Sequence, residues 1–124
     1  MNVDAITKAI AGLPINEQEA FLSDLDEYRA SVRREKAQVD FMKFVNAMWP
    51  GFIHGRHHKV MAKKFEEIAE GKIKRLIINM PPRHTKSEFA SYMLPAWFLG
   101  KYPNKKIIQC SNTAELAVGF GRWF

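Results

Sequence analysis

A short apolar run that ends at two consecutive prolines constrains this chain more than any other feature. Leu76, Ile77 and Ile78 are apolar at consecutive positions, which is typical of a strand buried on both faces of a parallel sheet. Pro81 and Pro82 cannot donate to a ladder, so we expect the backbone to leave the sheet there, at the carboxyl end of the strand. Open α/β sheets bind their ligands at that end. The pattern therefore predicts a ligand-binding loop directly after a strand.

The predicted loop ends in Lys86 and Ser87, the residue pair that closes the Walker A motif G-x-x-x-x-G-K-[ST]. In that alignment Met80 and Thr85 stand where the two glycines belong. Because a β-branched residue such as Thr85 does not enter positive φ cheaply, we expect the loop to follow another path than a glycine loop. The phosphate chemistry is retained: Lys86 is predicted to contact the β- and γ-phosphates, Ser87 to offer its hydroxyl to Mg²⁺, and Arg83 to add a second cation.

The segment Ile77–Glu88 reads I-I-N-M-P-P-R-H-T-K-S-E and resembles the variant Walker A motif of the large terminase subunits of tailed bacteriophages. These proteins are motors that package DNA into capsids. The family usually has glycine where Thr85 stands. The resemblance runs from about Asp40 to Arg122, and its other matches are Trp49-Pro50, His57-His58, Gly71, Trp97-Phe98-Leu99-Gly100 and Phe120-Gly121-Arg122.

The resemblance implies an ATPase that uses ATP and Mg²⁺ to drive double-stranded viral DNA into the procapsid, with an endonuclease in the full-length protein. The implied partners are the portal protein, the small terminase subunit and further copies of the chain in a ring, in the host cell cytoplasm. The nucleotide-binding residues would be Pro82, Arg83, His84, Thr85, Lys86 and Ser87, with Lys86 and Arg83 as the catalytic cations and Ser87 on the metal. His57 or His58 lies near the position from which family members contact adenine.

The length of 124 residues allows one domain, about half of what a complete nucleotide-motor domain needs. No apolar run approaches the ~20 residues of a membrane span, and the N-terminus lacks the basic and apolar regions of a signal peptide. We therefore expect a cytoplasmic protein without a membrane segment. The single cysteine, Cys110, follows an apolar run and is predicted to be a buried strand residue.

The net charge of +6 is unevenly distributed along the chain. Residues 1–38 hold 5 basic and 7 acidic side chains, whereas residues 39–124 hold 14 basic and 6 acidic ones. A basic surface favours an anionic partner such as nucleic acid, because it raises the local concentration of phosphate groups. A solvated lysine-rich surface explains the same charge equally well.

The predicted fold class is α/β: N-terminal helices followed by the first βαβ unit of an incomplete P-loop NTPase (ASCE-type) parallel sheet. Apolar periodicity and capping residues predict helices over 4–12, 16–36, 41–48, 57–70 and 86–99, a second strand over 105–110, and a last helix capped by Asn112. Asn16 and Asp40 are predicted caps, Gly71 a helix terminator, and Pro95 a kink. We expect a helical segment over 1–38 and, over 39–124, the start of an ATPase domain that ends before the Walker B strand and lacks the nuclease domain.

Three histidines in five positions, His54, His57 and His58, also invite a zinc-site interpretation. No cysteine or carboxylate stands nearby at ligand spacing, which disfavours it. A histidine that caps a helix or faces water is the plainer alternative.

No carboxylate follows an apolar strand in this chain, although hydrolysis at a phosphate loop needs one to hold Mg²⁺ and orient water. We therefore expect the 124-residue chain to be inactive as an ATPase by itself. Two other functions fit the sequence. One is a fragment of another P-loop helicase or translocase, and the other is a noncatalytic basic module that binds nucleic acid.

Overall fold

A computed structural model describes the backbone of residues 3–122 and the side chains of residues 6–122, so the last two residues of the predicted 39–124 domain lie outside it. The elements are helices α1 (Val3–Ala11), α2 (Ile15–Val39), α3 (Phe41–Met48), α4 (Arg56–Ala69), a π-helical segment (Glu88–Met93), α5 (Leu94–Lys101) and α6 (Ala114–Gly121). No helix in this range is long and apolar enough to cross a lipid bilayer.

The predicted α/β fold is wrong, because residues 3–122 are helical or irregular and contain no β-strand. Along the first predicted strand the burial alternates: Leu76, Ile78 and Met80 pack against the core, whereas Ile77 is 85% exposed. Burial that alternates with a period of two residues is typical of an extended chain with one side packed against the core and the other facing solvent. The predicted burial on both faces is therefore also wrong, since one side of this segment is open to solvent. The ladder is missing because a sheet needs a second strand at hydrogen-bonding distance, and the described residues supply none.

The second predicted strand, 105–110, is also irregular, and its expected burial is wrong. Cys110 is exposed and Ile108 is 88% exposed. Gln109 instead ties this segment to the preceding helix, since its Nε2 donates to the carbonyl of Ser91 at 2.7 Å. Pro95 has no N–H to offer that carbonyl from four residues downstream, so the side chain of Gln109 replaces a helical hydrogen bond.

The kink predicted at Pro95 takes the form of a change in helical winding. Residues 86 and 87 begin the helix, the π-helical segment follows, and α5 completes it. The N–H of Leu94 donates to the carbonyl of Phe89, five residues back, immediately before the proline. A π-helical turn is one of the recognised ways in which a helix absorbs such an interruption.

The core is an aromatic cluster centred on Phe41, which is fully buried. The ring of Phe41 meets Phe65, Phe89 and Trp97 edge to face, with centroids 5.3, 5.6 and 5.5 Å apart. These rings come from α3, α4, the π-helical segment and α5, so one side chain joins four elements. The indole of Trp97 also donates to the carbonyl of Ala37 at 2.9 Å, which fixes the end of α2 on the same cluster.

Two predicted helix boundaries are confirmed by their hydrogen bonds. Asp40 caps α3, where its Oδ1 accepts the Lys43 N–H at 2.9 Å. Gly71, at φ +75°, ends α4, and the Lys72 N–H donates to the carbonyl of Glu67 at 2.8 Å. This is the Schellman pattern that favours glycine.

Two other predicted caps are wrong. Helix α2 starts at Ile15 and already contains Asn16. The carbonyl of Pro14 accepts the backbone N–H groups of Glu17 and Gln18, so the helical hydrogen bonds begin before Asn16. Helix α6 is capped by Thr113, whose hydroxyl accepts the Leu116 N–H, and not by Asn112. Neighbouring polar residues compete for a cap, and the backbone path decides between them.

The chain divides into two compact units, residues 1–35 and 36–124, with the boundary inside α2. The first unit contains α1 and most of α2, and Leu22 and Tyr28 are exposed on it. The second unit contains the aromatic cluster and the loop of interest.

Replacing Phe41 by alanine tests the central place of this ring. We expect Phe41→Ala to lower the free energy of unfolding by about 3–5 kcal/mol, because it removes the ring through which four helical elements pack together and leaves a cavity in its place. Urea denaturation followed by circular dichroism measures the change. Met48→Ala, on the same helix but 61% exposed, is the matched control and should change stability little. Equal losses in the two variants would contradict this account of the core.

Candidate functional site

A cavity of about 570 Å³ lies over the loop that the sequence singled out. All six predicted loop residues line it: Pro82, Arg83, His84, Thr85, Lys86 and Ser87. Trp49, Pro81 and Glu88 complete its wall. The loop thus gathers its cations and hydroxyl groups around one concave space of the size that small ligands occupy.

The path of the loop differs from the expectation for a loop without glycine. Arg83 has φ +63° and Thr85 has φ +55°, so both residues adopt the left-handed conformation that Thr85 was expected to avoid. For a β-branched residue this is a true outlier, and each such residue costs of order 1–3 kcal/mol. Strain of this kind persists only where surrounding contacts enforce it.

A chain of hydrogen bonds from α4 enforces the conformation of Thr85. The Gly55 N–H donates to Nδ1 of His58 at 2.8 Å, which leaves the ring proton of neutral His58 on Nε2. His58 Nε2 lies 2.6 Å from the hydroxyl of Thr85, and that hydroxyl donates to the carbonyl of His84 at 2.7 Å. Every donor in this series meets an acceptor, so the loop is held by the first turn of α4.

His58 is the connection between this loop and the core. It is 6% exposed, and its ring centroid lies 4.8 Å from that of Phe52 and 5.0 Å from that of Phe89. Burial, followed by the nearby rings of His57, His54 and His84, holds the pKa of His58 below its ordinary value of 6.5. The neutral ring that the hydrogen bonds require is therefore also the form that the surroundings favour.

The two histidines suggested for an adenine contact occupy different positions. Both ring nitrogens of His58 have partners within the chain, so this ring serves the loop conformation in the observed arrangement. The ring centroid of His57 lies 3.8 Å from that of His58 with the two rings tilted, and its Nε2 is buried without a hydrogen-bond partner. The adenine contact stays a prediction, and neither histidine lines the cavity over the loop. No cluster of three or more metal-ligating side chains occurs among residues 6–122, so the zinc interpretation gains no support there.

The positive charge of the loop is not neutralised by an ion pair among the described residues. Arg83 is exposed and Lys86 half-buried, and neither forms an ion pair in the part of the chain that the structure describes. His84 adds a ring whose Nδ1 lies 2.9 Å from the carbonyl of Pro82, which directs its other nitrogen away from that bond. A half-buried lysine without a counter-ion is suited to an anionic ligand.

The oxygen ligands present here suit Mg²⁺ only in company with phosphate. Ser87 and Glu88 are adjacent in the chain and both line the cavity, giving one hydroxyl and one carboxylate. Mg²⁺ usually takes one or two carboxylates from the protein and completes its octahedron with phosphate oxygens and water. These two residues fit that pattern and could not enclose the ion by themselves.

Three cavity residues, Trp49, Pro81 and Glu88, were not assigned a ligand role from the sequence, and Pro81 was predicted only to end the strand. Glu88 was placed only on a helix, although its position directly after Ser87 is a signal that could have identified it. Trp49 carried no such signal, because it lies at the end of α3 and only tertiary packing brings it to the loop. Trp49 also lines a second cavity, of about 620 Å³, with the apolar side chains of Phe44, Met48 and Met93.

Comparison of this chain with protein-family models, with curated proteins and with solved structures finds no match. What the site does chemically must therefore be inferred from its own side chains and their geometry.

The neutral state of His58 predicts a loss of stability in acid. A histidine whose folded-state pKa is lowered contributes stability above its unfolded pKa of 6.5 and loses it as the pH falls below that value, since the unfolded chain then binds the proton more readily. We expect the free energy of unfolding to fall between about pH 7.5 and about pH 5.5, because protonated His58 can no longer accept the Gly55 N–H. Urea denaturation at both pH values measures the change.

The matched comparison is between His58→Gln and His54→Gln. Glutamine at position 58 does not titrate and retains an N–H for Thr85, so its stability should depend less on pH than that of the wild type. His54 is exposed and is a lesser cause of the lowered pKa of His58 than burial, so its replacement should leave most of the pH dependence intact. If His58→Gln shows the full acid loss of the wild type, then His58 is not its source.

Proposed function

We propose that the chain binds a nucleoside triphosphate through the loop between Pro81 and Ser87, with ATP as the nucleotide and Mg²⁺ as its counter-ion. The single observation that carries this proposal is the cavity into which all six loop residues converge. It contains the cations of Arg83 and Lys86 without any paired acidic side chain in the described chain. Polyanionic phosphate is the ligand class that such a site suits best.

The order of residues supports a phosphate ligand in particular. Lys86 and Ser87 form the first helical positions after the loop, and the helix continues to Lys101. Backbone N–H groups at a helix start are unsatisfied and carry partial positive charge, which adds to the charge of Lys86. The strained residues Arg83 and Thr85 stand in the same loop, where strain is commonly found in ligand-binding segments.

The larger protein that we propose for this activity is a viral DNA-packaging motor of the terminase large-subunit kind, acting at the procapsid portal in the host cytoplasm. Its partners would be double-stranded DNA, the portal protein, the small subunit and other copies of the chain. The support is the sequence from Ile77 to Glu88 and the basic character of residues 39–124. The parallel sheet that this resemblance implied is absent from residues 3–122, so the fold does not support the assignment.

In this proposal each loop side chain has a defined task. Lys86 holds the terminal phosphates by charge, Arg83 contacts them from the exposed side of the loop, and Thr85 keeps the backbone in its left-handed turn. Mg²⁺, when bound between Ser87, Glu88 and the phosphates, would neutralise part of the phosphate charge.

A noncatalytic nucleic-acid-binding module is the second candidate, and the all-helical structure is the observation that favours it. In that case Arg83 and Lys86 would contact a nucleic-acid backbone. The two candidates differ in specificity and in the size of their salt dependence, which grows with the number of phosphates contacted and is therefore steeper for a nucleic-acid duplex than for one nucleotide.

Lys86→Ala is expected to weaken ATP binding by about 10-fold or more, since a hydrogen bond to a charged group contributes ~1.5–3 kcal/mol. Arg83→Ala should have a smaller effect, because Arg83 is exposed and its contact is screened by water. Isothermal titration with Mg-ATP measures both. The control is Lys106→Ala, an exposed lysine outside the cavity.

Equal ATP affinity for wild type and Lys86→Ala would exclude the phosphate-loop proposal. Lowered affinity of both loop variants for a DNA duplex, with unchanged affinity for ATP, would establish the second candidate instead.

The 124-residue chain is expected to show no ATP turnover. In the described chain, Glu88 carries the only carboxylate on the cavity wall, and its place beside Ser87 suits the metal and leaves none to orient an attacking water. A steady-state phosphate-release assay on the purified chain measures this. Mg²⁺-dependent turnover that disappears in Lys86→Ala would show that the chain is catalytically complete.

A further inference from the structure

We propose that Trp49 is the platform for the base of the bound nucleotide, and that the apolar cavity beside it is the base pocket. This inference rests on the proposed function and identifies a part of the site that the loop motif does not contain. It begins from the observation that Trp49 and Glu88 line both cavities, the basic one of about 570 Å³ and the apolar one of about 620 Å³.

The two cavities are chemically different, and Trp49 and Glu88 belong to the walls of both. The loop cavity presents the cations of Arg83 and Lys86, whereas the walls of the second cavity include Phe44, Met48 and Met93. A nucleoside triphosphate has the same division, with a polyanionic end and a planar aromatic end. Two spaces that share an indole therefore match one ligand of this class better than they match an inorganic anion or a lipid chain.

Trp49 is held in place before any ligand arrives. The backbone N–H of Trp49 donates to the carbonyl of Val45 at 2.8 Å. The backbone carbonyl of Trp49 accepts the Phe52 N–H at 3.2 Å, across a turn in which Gly51 has φ +80°. Its ring lies 5.1 Å from that of Phe52. The indole is nonetheless 38% exposed, so part of its surface is open to a ligand.

Stacking on an aromatic face is the interaction that this geometry offers a base. Such stacking contributes to binding with every base, because each has a π-face. Tyr92 is a further polar side chain on the wall of the second cavity, and it stands where it could meet the edge of the base. Binding of the base thus depends on side chains from the end of α3 and from the π-helical segment, whereas binding of the phosphates depends on the loop.

The test compares two ligands, Mg-ATP and inorganic tripolyphosphate, by isothermal titration of the full chain. We expect Trp49→Ala to lower the affinity for ATP by about 10-fold and to leave that for tripolyphosphate unchanged, because only ATP has a base to stack. Trp49→Phe keeps a ring and should retain most of the ATP affinity. Ala96→Leu, which adds bulk to another wall of the apolar cavity, should lower ATP affinity without affecting tripolyphosphate.

The control is Tyr28→Ala, which removes a 68% exposed aromatic ring elsewhere in the chain. Thermal unfolding of each variant by circular dichroism separates lost contacts from lost folding. An equal loss for both ligands in Trp49→Ala would assign Trp49 to support of the loop and overturn the base platform. Unchanged ATP affinity in Trp49→Ala and Ala96→Leu would also overturn it, with the phosphate site intact. Failure of the wild type to bind either ligand would overturn the proposed function and this inference together.

Discussion

The edge-to-face packing around Phe41 is the interaction on which the rest of the second unit depends. It joins α3, α4 and the helix that follows the loop, and one of its rings, Phe89, also contacts His58. Because His58 bonds to Thr85, the position of the loop is a consequence of core packing. A loop fixed from behind in this way can present cations in a set arrangement without the glycines on which phosphate loops usually rely.

The conformation of Thr85 illustrates how a sequence can depart from a glycine-containing motif and still form a compact turn. Glycine reaches positive φ without cost, whereas threonine reaches it at φ +55° only with outside support. His58 supplies that support through a bond that requires its neutral form. Without glycine at position 85, the loop conformation therefore depends on one buried, titratable side chain.

One wall of the cavity is formed by a residue that belongs neither to the loop nor to the helix that follows the loop. Trp49 comes from the end of α3, and its placement follows from the turn at Gly51 and from contact with Phe52. Trp49 lines both the basic and the apolar cavity. The side chains around these cavities thus come from separate elements: the loop contributes positive charge, and the end of α3 contributes an aromatic surface.

Local patterns in the sequence determined the helices, the caps at Asp40 and Gly71, and the collection of loop residues from Pro82 to Ser87, because periodicity and capping act over a few neighbouring residues. They did not determine whether the apolar segments at 76–80 and 105–110 pair, since pairing depends on a partner strand distant in sequence. Only the tertiary structure placed His58 behind Thr85 and Trp49 beside the loop, and only it left Ile77 and Cys110 exposed. The physical reason is that these positions depend on long-range packing around Phe41, whose contacts join residues that are far apart in the chain.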